Sequence, residues 1–365
     1  MRKPILLLAL VAPLLVGGTT PTAYRLQTVA TGLDHPWSLA FLPDGRVLVT
    51  ERAGRLRIIA GGKLLPGAIG GLPVVYNEGQ GGLFDVVLHP KFASNRLLYL
   101  SFAGGSERAN ATRIVRARLD GSTLTAAREI FRVRPDKASD QHFGGRMAFL
   151  GDGTLLITTG EGFAYREAAQ QLGSQLGKVI RLNDDGSIPA NNPFVGRAGA
   201  DPAVFSWGHR NPQGLAYDPV TGRIYEQEHG PKGGDEINIL AAGANYGWPR
   251  ASFGVNYDGT SVSPNKRVAG MVDAITVWVP SIAPSGLAVV QGPMFPAWRG
   301  DLLVGALAGA QVQRVALDAA GKVVGRSRVF PEIDTRVRDV RVAPDGAIWV
   351  TTDEDDGRVI RISTG

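Results

Sequence analysis

One short unit recurs six times along the chain, and this repetition limits the possible folds more than any other feature. Each copy runs through a strand-like segment, a polar or glycine-containing turn and a second strand-like segment. Repeats of roughly 50–70 residues built from four short strands are typical of β-propeller blades. The copies begin PWSLAF at Pro36, GGLFDV at Gly81, GGRMAF at Gly144, PQGLAY at Pro212, PSGLAV at Pro284 and RVRDVRV at Arg336. The sequence therefore predicts an all-β chain that folds as a six-bladed β-propeller over residues 24–365.

Three segments stand outside the repeat. YRLQTVA (Tyr24–Ala30) is strand-like, and its pairing with the last blade would close the ring and remove a free sheet edge. Asn191–Val204 and Gly247–Thr276 do not follow the blade pattern. We interpret them as loop insertions that cap one face of the central channel.

The N-terminus has the pattern of an export signal. Arg2 and Lys3 precede an apolar run over Ile5–Val16, and small residues follow up to about Ala23. This order is typical of a cleavable secretory signal, and the apolar run is short for a bilayer span. We therefore expect residues 1–23 to be removed from an exported protein, periplasmic or secreted. The alternative is an uncleaved N-terminus that keeps the protein at a membrane.

The charge of the chain does not indicate a nucleic-acid partner. The formal net charge is +6 and the sequence pI is about 9.6, yet no Lys/Arg-rich run and no cysteine are present. A nucleic-acid-binding domain concentrates its basic residues in a patch or a recognition motif. Positive charge collected in a single cavity would instead suit an anionic small molecule.

A set of polar residues interrupts the repeat at equivalent places. They lie beside the start of an innermost strand, so in a propeller they meet around the top of the channel. This set contains Gln80, His142, Arg210, Asn211, Ser285, Arg336 and Arg338. Arginine and histidine are poor turn formers, and convergent polar groups in a concave site are the usual sign of a binding site.

The residue types in this set indicate a particular chemistry. Guanidinium groups bind carboxylates through two parallel hydrogen bonds, so three arginines suit an anion with several carboxylates. His142 can serve as a base near neutral pH if a partner orients its ring. Glu161, in TTGEG of the same blade, is the candidate for that partner.

A second candidate site lies in Glu226–Pro249. The turn at Gly230–Pro231 exposes backbone carbonyls, and the acidic pair Asp235–Glu236 is followed by Tyr246. Oxygen donors without cysteine or clustered histidine favour a hard cation such as calcium over zinc. A solvated acidic turn explains the same spacing equally well.

Several motifs together resemble those of the soluble pyrroloquinoline-quinone (PQQ) dependent aldose sugar dehydrogenases of the glucose/sorbosone dehydrogenase family. HFGGR, HRNPQG and EHGPKGGDE in this order are specific, and GQGGL, NYGWP and RVRDV support them. The resemblance covers the chain from about Leu33 to Ile362. It implies a quinoprotein oxidoreductase that oxidises aldose sugars to lactones, with PQQ and Ca²⁺ as cofactors and an external electron acceptor. Both a monomer and a homodimer are compatible with it.

The resemblance also implies individual roles. His142 would take the proton of the anomeric hydroxyl while hydride passes to PQQ, and Gln80 would contact the sugar. The implied PQQ contacts are Arg210, Asn211, Tyr257, Arg336 and Arg338. The implied calcium ligands are the carbonyls of Gly230 and Pro231 and, at a further site, Glu236 and Tyr246. One departure is Ala308, which stands near the place where the family often has a lysine.

Two other functions fit a propeller of this kind. A calcium-dependent lactonase-like hydrolase would need acidic and amide ligands in the channel, where this chain has three arginines. A non-catalytic binding propeller would not need His142 and Arg210 beside a cavity.

Overall fold

The computed structural model describes residues 23–364, which form six four-stranded antiparallel sheets. The prediction of an all-β, six-bladed β-propeller is thereby confirmed. The strands are, blade by blade, β2 Pro36–Phe41, β3 Val47–Glu51, β4 Arg55–Ala60 and β5 Lys63–Leu64; β6 Leu83–Leu88, β7 Leu97–Ser106, β8 Ala109–Asp120 and β9 Thr123–Arg132; β10 Gly144–Phe149, β11 Leu155–Thr159, β12 Lys178–Leu182 and β13 Val204–Trp207; β14 Pro212–Tyr217, β15 Ile224–Glu228, β16 Asp235–Ile239 and β17 Thr276–Trp278; β18 Pro284–Val289, β19 Leu302–Ala306, β20 Gln311–Leu317 and β21 Val323–Val329; β22 Val337–Val342, β23 Ile348–Thr352, β24 Gly357–Thr364 and β1 Tyr24–Leu33.

The first strand of each sheet lies on the inside of the ring. Strands β2, β6, β10, β14, β18 and β22 each contact the equivalent strands of the two neighbouring blades, so the ring is closed. Apolar clusters fill the spaces between the sheets, because both faces of a blade are covered by its neighbours. This arrangement gathers the residues that precede the inner strands around one opening.

The sixth blade joins the two ends of the described chain. β1 pairs antiparallel with β24, with Tyr24 opposite Thr364 and Leu33 opposite Gly357. The predicted strand Tyr24–Ala30 and its pairing with the last blade are therefore confirmed. The predicted export signal over residues 1–23 lies outside the described residues, apart from Ala23.

Helical structure is confined to one short helix, α1 Phe92–Asn95, and two 3₁₀ turns, Arg166–Gln170 and Pro296–Trp298, in the described chain. None of its helices has the length and apolar character that crossing a bilayer requires. The segment predicted as an insertion over Gly247–Thr276 is irregular up to β17 and contributes to a cavity described below. The other predicted insertion, Asn191–Val204, contributes to neither of the cavities described below.

Two glycines hold the loop that carries His142 against the blades. Gly144 has φ +66°, and a Cβ there would lie 2.7 Å from the carbonyl oxygen of Thr158. Gly145 has φ +99°, and a Cβ would lie 2.7 Å from a ring carbon of Phe84. Both positions combine a left-handed backbone with close packing, so glycine is required by the protein's own packing.

Candidate active site

Two cavities open where the inner strands begin. The channel cavity has a volume of about 360 Å³ and is lined by His35, Trp37, Arg52, Gln80, Phe143, Gly144, Asn211, Gln213, His229, Ala283, Leu307, Arg336, Arg338 and Asp353. The side cavity also measures about 360 Å³ and is lined by Glu161, Phe163, Arg166, Arg210, Pro231, Trp248, Asn256, Tyr257 and Asp258. Volumes of this size are typical of small-molecule sites.

His142 lines neither cavity itself but lies between residues that do. Its neighbours Phe143 and Gly144 line the channel cavity, and its partner Glu161 lines the side cavity. The backbone of His142 has φ +49°, a left-handed conformation that is uncommon outside glycine and concentrates at functional sites. The side-chain oxygen Oε1 of Gln80 accepts a hydrogen bond of 2.9 Å from the His142 backbone N–H.

The ring of His142 is oriented by a buried carboxylate. Nδ1 of His142 lies 3.2 Å from Oε1 of Glu161, and both side chains are almost wholly buried. Burial lowers the pKa of His142, and Arg210 lowers it further, whereas Glu161 raises it. With Nδ1–H donating to Glu161, Nε2 is the unprotonated nitrogen, so the ring can accept a proton there. The ring of Phe163 packs edge-on against it at a centroid distance of 5.3 Å.

Arg336 and Arg338 enter the channel cavity from the start of β22. Both guanidinium groups contact Oδ2 of Asp353, at 2.8 Å and 3.0 Å respectively. Burial alone would raise the pKa of Asp353, but Arg338 and Arg336 lower it to about 2. Nε of Arg338 is buried without a hydrogen-bond partner. The pair is therefore fixed in position by Asp353 and keeps donor capacity for an anion.

Arg210 is held on the other side of His142. Its backbone N–H donates to Oε2 of Glu228, and its Nη1 donates to the carbonyl oxygens of His229 and Gly230 at 3.1 Å and 2.9 Å. The guanidinium carbon lies 5.3 Å from the ring centre of Trp248, and Nε has no partner. Asn211 faces the channel cavity instead, where its Oδ1 accepts a hydrogen bond from the Gly144 N–H at 3.2 Å.

The predicted metal ligands occupy different surroundings. Pro231 lines the side cavity, and the carbonyl of Gly230 has one lone pair engaged by Arg210. Glu236 and Tyr246 line neither cavity. Glu236 accepts a hydrogen bond from Asn238 at 3.2 Å, and the Tyr246 hydroxyl donates to the carbonyl of Ile239 at 2.8 Å.

The channel cavity is lined by several residues that the sequence pattern did not reveal, and one residue that the pattern suggested lines neither cavity. His35, Arg52, His229 and Asp353 all line the channel cavity. Asp353 could have been found, because it follows β23 much as Glu161 follows β11. Ser285 does not line either cavity: it is fully buried, and its hydroxyl donates to the carbonyl of Val337 at 2.6 Å.

A buried arginine, Arg146, lies behind two residues that line the channel cavity. The buried side chain of Arg146 lies 3.0 Å from Oδ1 of Asp339, and its Nη2 donates to the carbonyl of Arg338 at 3.1 Å. Its guanidinium carbon is 4.0 Å from the ring centre of Trp37. Arg146 thus contacts both Trp37 and the backbone of Arg338, which line the cavity.

Comparison with known proteins identifies the family of the chain. Residues 33–361 match the family model described as Glucose / Sorbosone dehydrogenase. The chain belongs to the glucose/sorbosone dehydrogenase family. It is 42% identical to the aldose sugar dehydrogenase YliI of Escherichia coli over 94% of both chains. It is 28% identical to quinoprotein glucose dehydrogenase B of Acinetobacter calcoaceticus, over 91% of this chain and 87% of that protein.

A solved structure of the family bears on the cofactor. The chain resembles the PQQ-bound form of the aldose sugar dehydrogenase of Streptomyces coelicolor, with a TM-score of 0.77 and 30% identity. The match covers 94% of this chain and 99% of that structure. Ala308, which stands where the resemblance leads us to expect a lysine, is exposed beside the cavity-lining Leu307.

Proposed function

We propose that this chain is a PQQ- and calcium-dependent aldose dehydrogenase in which His142 is the general base. The observation that carries the proposal is the position of His142 between two cavities, hydrogen-bonded to Glu161 and fixed by Gln80. Family membership supplies the substrate class, because the named relatives are aldose or glucose dehydrogenases. An export signal would place the reaction outside the cytoplasm, with an external electron acceptor.

The donor groups of the site fit a tricarboxylate. Arg210 and Arg338 each have a buried Nε without a partner, and Arg336 is exposed at the cavity edge. Asn211 and Tyr257 lie on the channel and side cavities respectively, and Tyr257 is largely exposed. These five residues would hold PQQ through its carboxylates and its plane. PQQ, when bound, supplies the two-electron acceptor for the hydride of the sugar.

The proton of the sugar goes to the protein. Nε2 of His142 takes the proton of the anomeric hydroxyl as the C1–H bond breaks and its electron pair leaves as hydride. Glu161 stabilises the imidazolium that forms, since its carboxylate already accepts from Nδ1. The Oε1 of Gln80 is engaged by the backbone of His142, so the amide nitrogen Nε2 is the atom available to a sugar hydroxyl.

Two calcium positions are part of the proposal. The carbonyl oxygens of Gly230 and Pro231 would hold the ion next to PQQ. The Gly230 carbonyl has a second lone pair beside the one that Arg210 uses. Glu236 and Tyr246 would contribute to the further site. Carbonyl and carboxylate oxygens are the donors that calcium prefers.

The decisive experiment is a titration of EDTA-treated protein with PQQ and CaCl₂. We expect PQQ absorbance to shift on binding, and dye reduction by aldoses to require both additions. In Arg338→Ala we expect PQQ affinity to fall about ten- to a hundredfold, because a charge-assisted hydrogen bond contributes about 1.5–3 kcal/mol. The order in which the variant prefers sugars should not change.

Two outcomes would favour other functions. Calcium-dependent lactone hydrolysis without PQQ binding would indicate the lactonase-like hydrolase. Ligand binding with neither hydrolysis nor dye reduction would indicate a binding propeller. Full dye reduction by cofactor-free protein contradicts the proposal directly.

A further inference from the structure

A group of buried polar side chains behind Arg210 has no part in the proposed reaction. His209 and Glu226 are wholly buried and Glu228 is 3% exposed. Nδ1 of His209 lies 3.1 Å from Oε1 of Glu228 and 3.7 Å from Oε2 of Glu226. One potential ligand atom from each residue falls within 4.8 Å of the others, so a single ion can reach all three. We call these three residues the β14–β15 cluster.

The charges of this cluster are not balanced by the protein. The buried carboxylates of Asp85, Asp339 and Asp353 each lie within 4 Å of an arginine. Within residues 23–364, neither Glu226 nor Glu228 has an arginine or lysine at that distance, and histidine is their only basic partner. Burial of two carboxylates without a cation is costly.

Unpartnered oxygens lie at the same place. Oε1 of Glu226 is buried without a hydrogen-bond partner. The wholly buried Asn238 donates from Nδ2 to Oε2 of Glu226 at 3.0 Å, while its own Oδ1 has no partner. Because the two ends of an amide can be exchanged by rotation, Asn238 can turn an oxygen toward Glu226. Asn238 is thus a potential fourth donor beside the cluster.

The surroundings of His209 suit a role as a metal ligand. Its Nε2 lies 2.9 Å from the hydroxyl of Ser206, which can accept the Nε2–H and so leave Nδ1 free to bind an ion. A metal-bound histidine nearly always donates its other N–H in this way. The ring of Tyr246 stacks on His209 at a centroid distance of 4.9 Å and limits its rotation.

We propose that His209, Glu226 and Glu228 bind a divalent transition metal of the zinc class, with Asn238 as a further donor. One imidazole nitrogen and two or three oxygens fit the four-coordinate preference of Zn²⁺, whereas Ca²⁺ takes six to eight oxygens. The ion balances the charge of the two carboxylates. It also fixes Glu228, whose other oxygen accepts from the backbone N–H of Arg210, and so anchors the turn that carries Arg210 and Asn211.

The test measures zinc on the full-length protein without PQQ. Protein treated with EDTA is incubated with ZnSO₄, passed through gel filtration and assayed for zinc by mass spectrometry. We expect one Zn²⁺ per chain and a higher thermal midpoint. In the isosteric Glu226→Gln we expect zinc affinity to fall roughly a hundredfold and the thermal midpoint to stop responding to zinc. His142→Gln, which disrupts the other histidine–glutamate pair, is the control and should bind zinc normally.

A second measurement keeps the proposal testable if Glu226→Gln does not fold. X-ray absorption of the zinc-loaded natural chain should show one imidazole with oxygen ligands, and the Co²⁺ form should show visible bands typical of low coordination. Wild-type protein that retains no zinc overturns the proposal, as does equal retention by Glu226→Gln. A first shell made only of oxygen also overturns it. None of these outcomes bears on PQQ binding, so the proposed dehydrogenase function is tested separately.

Discussion

Two histidine–glutamate pairs occupy successive blades and differ in what surrounds them. His142 and Glu161 belong to the third blade, His209 and Glu228 to the fourth, and in both pairs the glutamate follows the histidine by 19 residues. In both, Nδ1 faces the carboxylate, at 3.2 Å and 3.1 Å. The same local geometry therefore occurs twice around the ring.

The surroundings decide what each pair can do. His142 has a left-handed backbone and lies between two cavities that arginines line. His209 is covered by Tyr246 and approached by a second carboxylate, Glu226. A histidine beside a cavity and near arginines can exchange protons with a substrate, whereas one enclosed by carboxylates suits a bound cation. Under the two proposals, a histidine–carboxylate contact alone does not distinguish a catalytic base from a metal ligand.

The largest expected effect is on the rate of PQQ reduction when each of the two histidines is replaced by glutamine in a separate variant. His142→Gln should keep PQQ binding but slow the reduction of bound PQQ by an aldose about a hundred- to ten-thousandfold, because the general base is lost. His209→Gln should leave that rate in the same order of magnitude. Stopped-flow absorbance measures this step apart from reoxidation. Equal rates in both variants would remove the distinction between the pairs.

An intermediate effect is expected from Glu161→Gln. Glu161 raises the pKa of His142 against the effect of burial, so its loss lowers that pKa further. The acid limb of kcat/KM should therefore move to lower pH, while kcat falls roughly ten- to a hundredfold since the imidazolium is less stabilised. A pH profile measured beside wild type and Glu228→Gln checks the shift. An unmoved limb in Glu161→Gln would show that Glu161 does not act through His142.

The smallest effect should come from Tyr246→Phe next to the second pair. The Tyr246 hydroxyl donates to the carbonyl of Ile239 and accepts from the N–H of Ala241, both at 2.8 Å. Removing it should lower the free energy of unfolding by about 0.5–1.5 kcal/mol, while the stacked ring is kept. Urea denaturation of EDTA-treated protein measures the loss, so that the proposed calcium-ligand role of Tyr246 does not affect the result. An unchanged free energy of unfolding would show that these two hydrogen bonds add nothing to stability.

Much of the fold followed from local chemistry. Turns such as Pro43–Gly45 and Pro344–Gly346 lie between consecutive strands of one blade. Proline, aspartate and glycine favour such turns through their own backbone preferences, which can be recognised in a few residues of sequence. Gln80 and Asn211 line the channel cavity, as the repeat indicated, because each lies shortly before an inner strand. The assignment needed only the blade register, which the repeat supplies.

The remaining features of the site depend on contacts between different strands, which the repeat pattern does not predict. The Glu226-Gln227-Glu228 sequence on β15 places two glutamates on one face of the strand, which the period of two would have indicated. That His209 meets them depends on a contact between β15 and the entrance of β14. The pairing of Arg336 and Arg338 with Asp353 likewise arises from the packing of β22 against the end of β23.

The sheet that contains β1 and β24 has a consequence for synthesis. Its strands come from opposite ends of the described chain, and Tyr24 meets a partner 340 positions later at Thr364. A growing chain can form the five earlier sheets in order of emergence, but the sixth has to wait until β24 has been made. Until then β1 has no strand to pair with, and until β22 is made the inner ring is open between β18 and β2. The complete channel opening therefore forms late, because Arg336, Arg338 and Asp353 are made after the strands of the other five blades.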